Sequence, residues 1–415
     1  IETLEEESRQ AYEDEKYVSY YVANMKLLEQ RPYNPVYLQR IIVACAKLNR
    51  LSTAYHFMLK MQQQGFSYDL NQDPDTENIR NTEVYKHING LLIQAGEPAG
   101  EAETVHTLAG KYADPAAISW DGHRGRFLVG TKSAGTVLAL SEDGAEEVLI
   151  QADDENGLWA INGLHADAAN NRLWISSAAV PEFTAFSPID KWRGALFEFN
   201  LETLDLINRY NIPVDGSPHE LGPMAVTDAG DVYIVDLRAA VVYRKASGGD
   251  KLEIFVGSKE MQKLRAIAVT PDNSRLFVSD PDKGVLVVDP IALSSAVLSA
   301  PENSNLGSIS GLAYDRGHLL ISQSGFQPER VMRLKLDSSG SKVEAITPVA
   351  SARAEFNRPG HTTVKGEHVY YFANLGDETG SAGTSPVRVM RSPLETEDVI
   401  PPEATRKIIE KTGTG

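Results

Sequence analysis

From about residue 104 onward, apolar and polar positions alternate with a period of two, and Asp, Gly, Asn or Pro interrupts the alternation roughly every ten residues. One unit recurs six times, at 117–129, 163–175, 224–235, 267–278, 312–321 and 362–372. Each copy is a short apolar strand, a tight turn and a second strand of bulky alternating residues. The starts are spaced by about 49 residues, the range of propeller blades and too long for leucine-rich or ankyrin units. Third strands follow at 136–140, 195–199, 240–244, 284–288, 330–335 and 386–391, with fourth strands at 252–256 and 342–347 among others. A four-stranded sheet cannot bury both of its faces alone, so the blades must stack and the ring must close. The pattern predicts a mainly β chain, a six-bladed β-propeller. Its last blade lacks an outer strand, which 104–108 would supply, with 398–400 as the competing candidate.

The first hundred residues change to a period near 3.6. Tyr17, Tyr21, Met25 and Leu28 share one helical face, Leu38, Ile41, Ile42 and Cys45 a second, Ala54, Phe57, Met58 and Met61 a third, and Val84, Ile88, Leu91 and Leu92 a fourth. Four helices are predicted, with Pro32 and Pro35 separating the first pair, a tight turn at 49–52, and Asp73-Pro74-Asp75 opening the last. The expected domains are an all-α helical module at 1–96, an exposed linker at 97–102, the propeller at 103–400 and a tail at 401–415.

Composition narrows the partners. The 415 residues carry a net charge of −17, which disfavours nucleic acid as a partner. No run approaches the roughly 18 apolar residues of a membrane span. The single Cys45 lies on an apolar helix face and reads as a core residue. The chain begins at Ile1. If a signal peptide has been removed, the protein is exported.

Candidate chemistry lies where inner strands begin, because the loops of one face of a propeller converge there into a funnel. Those positions are Asp114 or Ala116, Asn162, Glu220 with Gly222, Arg265, Ser310 and His361. His219 beside Glu220 is a candidate general base, as is His361, with Arg265 or Arg358 stabilising an oxyanion. The alternative is that both histidines bond to backbone groups and hold loops. Asp236 and Asp280 end equivalent second strands and read as turn caps. Long connections at 176–194, 323–329 and 373–385 suggest a gated mouth, the first carrying Phe183, Phe186 and Trp192 as ligand contacts or as local packing. No serine nucleophile elbow, Walker A loop, dinucleotide fingerprint or zinc spacing occurs.

Residues 34–65 resemble a tetratricopeptide-type (TPR-like) hairpin, with Ala54 at its small packing position. The wording at 45–54 and 61–65 is also similar to one pentatricopeptide unit, but RNA-reading arrays need many consecutive units. A docking or capping module with a protein partner is therefore expected. The repeats from 105 to 393 resemble the SMP-30/gluconolactonase-like and NHL-type propellers and, more distantly, strictosidine synthase-like ones. A helical hairpin joined to such a ring is similar to gluconolactonase-like proteins of the bacterial envelope, which implies a periplasmic or extracellular location.

Metal-dependent lactonases of this family hold a divalent cation with a Glu, two Asn and an Asp. The resemblance places their Glu on Ala116, before Trp120-Asp121. One Asn falls on Asn162 in the phrase Asn162-Gly163-Leu164, the other on Arg265, and the Asp on Ser310. An arginine would repel a nearby cation by several kcal/mol at an effective dielectric of about 20, so the family's site is expected to be degenerate. Asp114, Asn162 and Glu220 are the candidates for a rebuilt calcium or zinc site. Two functions stand open. One is a propeller that binds a small molecule or protein at its funnel, through Asn162, Ser310, Trp192 and Arg358. The other is a lactone or ester hydrolase acting through His219, Glu220, His361 and Arg265.

Overall fold

A computed structural model describes residues 1–142, 144–212, 215–257, 262–302, 304–376 and 386–394. It is a six-bladed β-propeller preceded by helices. Each blade is an antiparallel sheet running from the axis outward, and the first begins at Pro115–Asp121 and ends at Glu146–Gln151. The sixth blade takes its outer strand from far upstream, where Glu103–Thr107 pairs with Arg388–Pro393. The competing candidate at 398–400, the tail at 401–415 and most of the 373–385 connection lie outside the described residues.

Blades stack through large apolar side chains in alternate positions. Tyr233, Phe197, Phe277 and Tyr371 are fully enclosed, as expected where period-two strands bury both faces. At the seam between the first and last blades, Phe127 packs on Tyr370 with centroids 4.5 Å apart.

Five α-helices precede the ring: α1 (Glu2–Glu13), α2 (Tyr17–Gln30), α3 (Pro35–Lys47), α4 (Leu51–Gln63) and α5 (Glu83–Gln94). The apolar pattern does not predict the first, whose inner face is short: it buries only Ser8 and Ala11, with Leu4 packed at the edge of the helical core. A second correction concerns Asp73, which caps the short 3₁₀ segment Pro74–Ile79, whereas Thr82 caps α5 by accepting from the Tyr85 N–H at 3.1 Å. The expected free linker is exposed but joined to the ring, since Ala99–Gly100 adds a fifth strand to blade five opposite Ser351 and Ala350.

The helices rest on the loops of blades four and five that face the funnel. Two helices end there. At the end of α2, the Gln30 carbonyl accepts from Lys283 Nζ at 2.6 Å, and Arg31 reaches Asp282 at 3.2 Å. After α4, Gly65 (φ +73°) and Phe66 close a Schellman turn onto the Gln62 and Met61 carbonyls. Arg330, which is buried, donates to the Gln64 and Gly65 carbonyls at 3.1 and 2.9 Å. Cations at both helix C-termini meet the negative end of the dipole. Phe66 packs edge-on against Phe326 at 5.1 Å, and the Ser67 N–H donates to the Gln327 carbonyl. The connection at 323–329 is thus a seat for the helices and not the flap over the mouth that its length suggested.

Candidate functional site: the funnel mouth

The inner strands begin with an irregularity that aims one position per blade at the axis. In blade one Pro115 pairs with Thr131 and Ala117 with Gly130, so Ala116 is the extra residue of a bulge. Asn162, Ser310 and His361 occupy the same position in blades two, five and six. Gly222 and Pro223 share it in blade three, and in blade four Arg265 and Ala266 both bond Ser279. A bulge turns its extra side chain out of the ladder. Around the axis lies a channel of about 60 Å³ walled by Ala116, Gly163, Pro223, Ser310, Gly311 and His361. That is room for about two waters. The strands meet there because two glycines permit it: a Cβ on Gly163 would fall 2.4 Å from the Gly222 carbonyl, and one on Gly311 2.4 Å from Ser322 Oγ.

Two of the predicted ligand contacts also join blades. Asn162 Nδ2 donates to the Leu221 carbonyl at 3.0 Å, and Ser310 Oγ to the Pro359 carbonyl at 2.6 Å. Asn162 Oδ1 is left buried without a hydrogen-bond partner, as are Thr362 Oγ1 and Asp114 Oδ1. The other Asp114 oxygen accepts from the Ser133 N–H and holds a turn. Glu220 is buried, accepts from Arg238 Nε at 3.0 Å and lies 3.7 Å from Lys132 Nζ. A cation bound by Asp114, Asn162 and Glu220 would have to displace both. Among the described residues, no group of three or more His, Cys, Asp or Glu is placed to hold a metal ion.

The two histidines differ. Burial by itself lowers the pKa of His219, but bonds from Nδ1 to Asp236 (2.7 Å) and from Nε2 to Asp215 (3.1 Å) raise it above its ordinary value. With a carboxylate at each ring nitrogen the imidazolium is the favoured form, and in that form the ring has no lone pair to take a proton. This arrangement argues against the general-base assignment and also replaces the backbone bonding expected as the alternative. His361 (φ +48°) makes no hydrogen bond through its ring among the described residues. Burial, with Lys132 and Arg358 nearby, depresses its pKa to about 4, so it stays neutral. The caps predicted for Asp236 and Asp280 are present: Asp236 accepts from the Arg238 and Ala239 N–H groups, and Asp280 from those of Asp282 and Lys283.

Arg358 donates to the Gly376 carbonyl at 3.0 Å, and its N–H donates to Glu329, whose carboxyl is pushed up by burial. Among the described residues, the side chain of the exposed Arg265 hydrogen-bonds only the Leu264 carbonyl, at 3.5 Å. Lys132 and Arg238 thus flank Glu220, and Arg358 stands beside Glu329, so cations and acids are interleaved at the mouth of a chain of net charge −17. Reading only first-strand starts misses Lys132, Arg238 and Glu329. The connections between second and third strands, which reach the same face, carry that signal.

Trp192 belongs elsewhere. It lies off the axis in a cleft on blade two with Trp159, Arg209 and the buried His219. Phe183 is buried, and Phe186 and Trp192 pack beside it against Val180, so the long connection at 176–194 also packs on itself.

The ring and mouth define a six-bladed propeller with its polar groups gathered on one face. Among solved structures it is similar to a protein from Thermus thermophilus described as an oxidoreductase (glucose dehydrogenase), at 15% identity over 71% of this chain and 100% of that one, TM-score 0.50. It is also similar to a luciferin-regenerating enzyme, at 12% identity over 72% and 95%, TM-score 0.51. A gluconolactonase from Xanthomonas campestris aligns at 16% identity over 72% and 99%, TM-score 0.46. At these identities the likeness is one of fold. No family model and no curated protein matches the sequence.

Proposed function

We propose that this is a ligand-binding propeller of the gluconolactonase-like superfamily, with a degenerate metal site and a mouth that takes a small polar anion. One observation carries the reading: two of the four groups expected to do chemistry, His219 and Glu220, are already engaged. His219 is held between two carboxylates and Glu220 between two cations, while Lys132 and Arg358 stand beside His361 at the channel. Donors fixed before the ligand arrives favour binding. The TPR-like helices, seated on blades four and five, leave Val18, Val22 and Val84 exposed for a protein partner. A periplasmic or extracellular site belongs to the same proposal. No described helix is long and apolar enough to cross a membrane.

The second reading, a lactone or ester hydrolase, is favoured by His361 alone, a neutral imidazole beside the channel whose ring has no hydrogen-bond partner among the described residues. Titration calorimetry with gluconate, together with hydrolysis of glucono-lactone, separates the two. The expected result is saturable gluconate binding, lost in Arg358→Ala, with lactone opening no faster than in buffer. Stoichiometric calcium or zinc with EDTA-sensitive opening would overturn the binding reading. Metal-free opening abolished in His361→Ala would establish the second.

A further inference from the structure

A cavity roomier than the axial channel lies off the axis. A cleft of about 480 Å³ opens on blade two, between the loop at 189–194, the outer strand Leu206–Asn211 and the connection at 216–219. It falls within the size range of small-molecule sites; the axial channel does not. Trp159, Trp192, Ile189 and Ile212 supply its apolar walls, and no Asp or Glu lines it among the described residues. Its charged lining is basic: Lys191, Arg193 and Arg209.

Arg193 is paired with Asp190 at 2.8 Å. Arg209 and Lys191 make no ion pair among the described residues. The Arg209 guanidinium lies 4.7 Å from the Trp159 ring and 5.1 Å from that of Phe197, and its Nε donates to Asn211 Oδ1 at 2.9 Å. The fold makes room for it, since a Cβ on Gly157 (φ +67°) would sit 2.8 Å from Nη1. Burial lowers its pKa. This is a cation held by two rings, with no ion pair of its own among the described residues; Asp190, paired with Arg193, acts on it only through space. A guanidinium so fixed keeps a fork of donors for an oxyanion. Opposite it, Lys191 lies 5.2 Å and Arg238 4.5 Å from the Trp192 ring, which fixes the second wall.

We propose that this cleft is a second ligand site, distinct from the mouth, which binds a small organic acid with a flat apolar body. The carboxylate pairs with Arg209 and Lys191, and the ring system lies among Trp159, Trp192, Ile189 and Ile212. The test is titration calorimetry of the full chain with 2-naphthoate and with its neutral counterpart 2-naphthylmethanol. Naphthoate binds at one site per chain, at least tenfold tighter than the alcohol. Arg209→Met removes at least tenfold of that preference and leaves alcohol binding unchanged, while Arg209→Lys, which keeps charge but not the fork, loses less. His361→Ala, at the mouth, changes nothing. Equal affinity for acid and alcohol, no saturable naphthoate binding, or an Arg209→Met variant of unchanged affinity and normal circular dichroism would overturn the proposal. Loss of binding in His361→Ala would move the site to the mouth.

Discussion

His219 and His361 open the inner strands of blades three and six, yet their surroundings drive them in opposite directions. His219 has a folded pKa above its ordinary 6.5, so its contribution to stability is complete below that value and is lost as pH rises through the folded pKa. His361 has a folded pKa of about 4. Below pH 6.5 the unfolded chain takes up a proton that the folded ring refuses, so stability falls as the solution is acidified from 6.5 toward 4. Urea midpoints at pH 5 and pH 8 are therefore expected to respond with opposite signs. His361→Gln should be more favourable to stability at pH 5 than at pH 8, by on the order of 1 kcal/mol. His219→Gln should cost more at pH 5 than at pH 8. The same sign for both variants would show that neither imidazole is in the state its neighbours dictate. Spacing along the chain puts both residues at entries to inner strands, although His361 lines the axial channel and His219 the cleft on blade two. It cannot tell them apart, because Asp215, Asp236, Lys132 and Arg358 arrive from four different connections.

At the scale of elements, α2 and α4 end on the ring and are met by Lys283 and Arg330. Arg330 carries more of this docking, since it is buried, has a pKa lowered to about 10, and bonds Gln323 as well as two carbonyls of the helical module. Arg330→Met would leave those carbonyls without donors inside the interface, at a cost of about 2–4 kcal/mol. Calorimetry is expected to show the helices melting ahead of the ring in this variant, and an unchanged single transition would contradict the docking. Gly65→Ala should act in the same direction, because φ is +73° and its Cβ would fall 2.5 Å from Arg330 Nη1. The elements themselves were legible: period two for the blades, period 3.6 for four helices, a repeated acid for the turn caps. α1 was not, because its buried face is made of small or polar residues, Ser8 and Ala11, beside Leu4. Nor was the docking legible, since Arg330 reads as an ordinary third-strand start and only the fold brings it to Gly65.

At the scale of the molecule, one segment connects these layers. After α5 the chain runs along the edge of blade five as Ala99–Gly100, then becomes the outer strand of blade six as Glu103–Thr107. The helical module is therefore tied to the ring by the same stretch that closes it. Closure makes a propeller differ from an open repeat array, in which each unit answers only to its neighbours. Leu108 ends this segment, fully buried, with its N–H donating to the Val387 carbonyl. It packs with Ile118, Val129 and Phe372, so it contacts both sides of the seam between the first and last blades. Lys365 bridges the same seam, lying 3.7 Å from the Trp120 ring and 3.1 Å from Glu142. Leu108→Ala should cost about 2–5 kcal/mol through the cavity it leaves. Because every blade depends on a closed ring, that loss should appear as one shifted transition, coincident by near- and far-ultraviolet circular dichroism. Melting of blades one and six ahead of the others would mean that closure is not what holds the ring, and the mouth built on six inward bulges would then lose its physical basis.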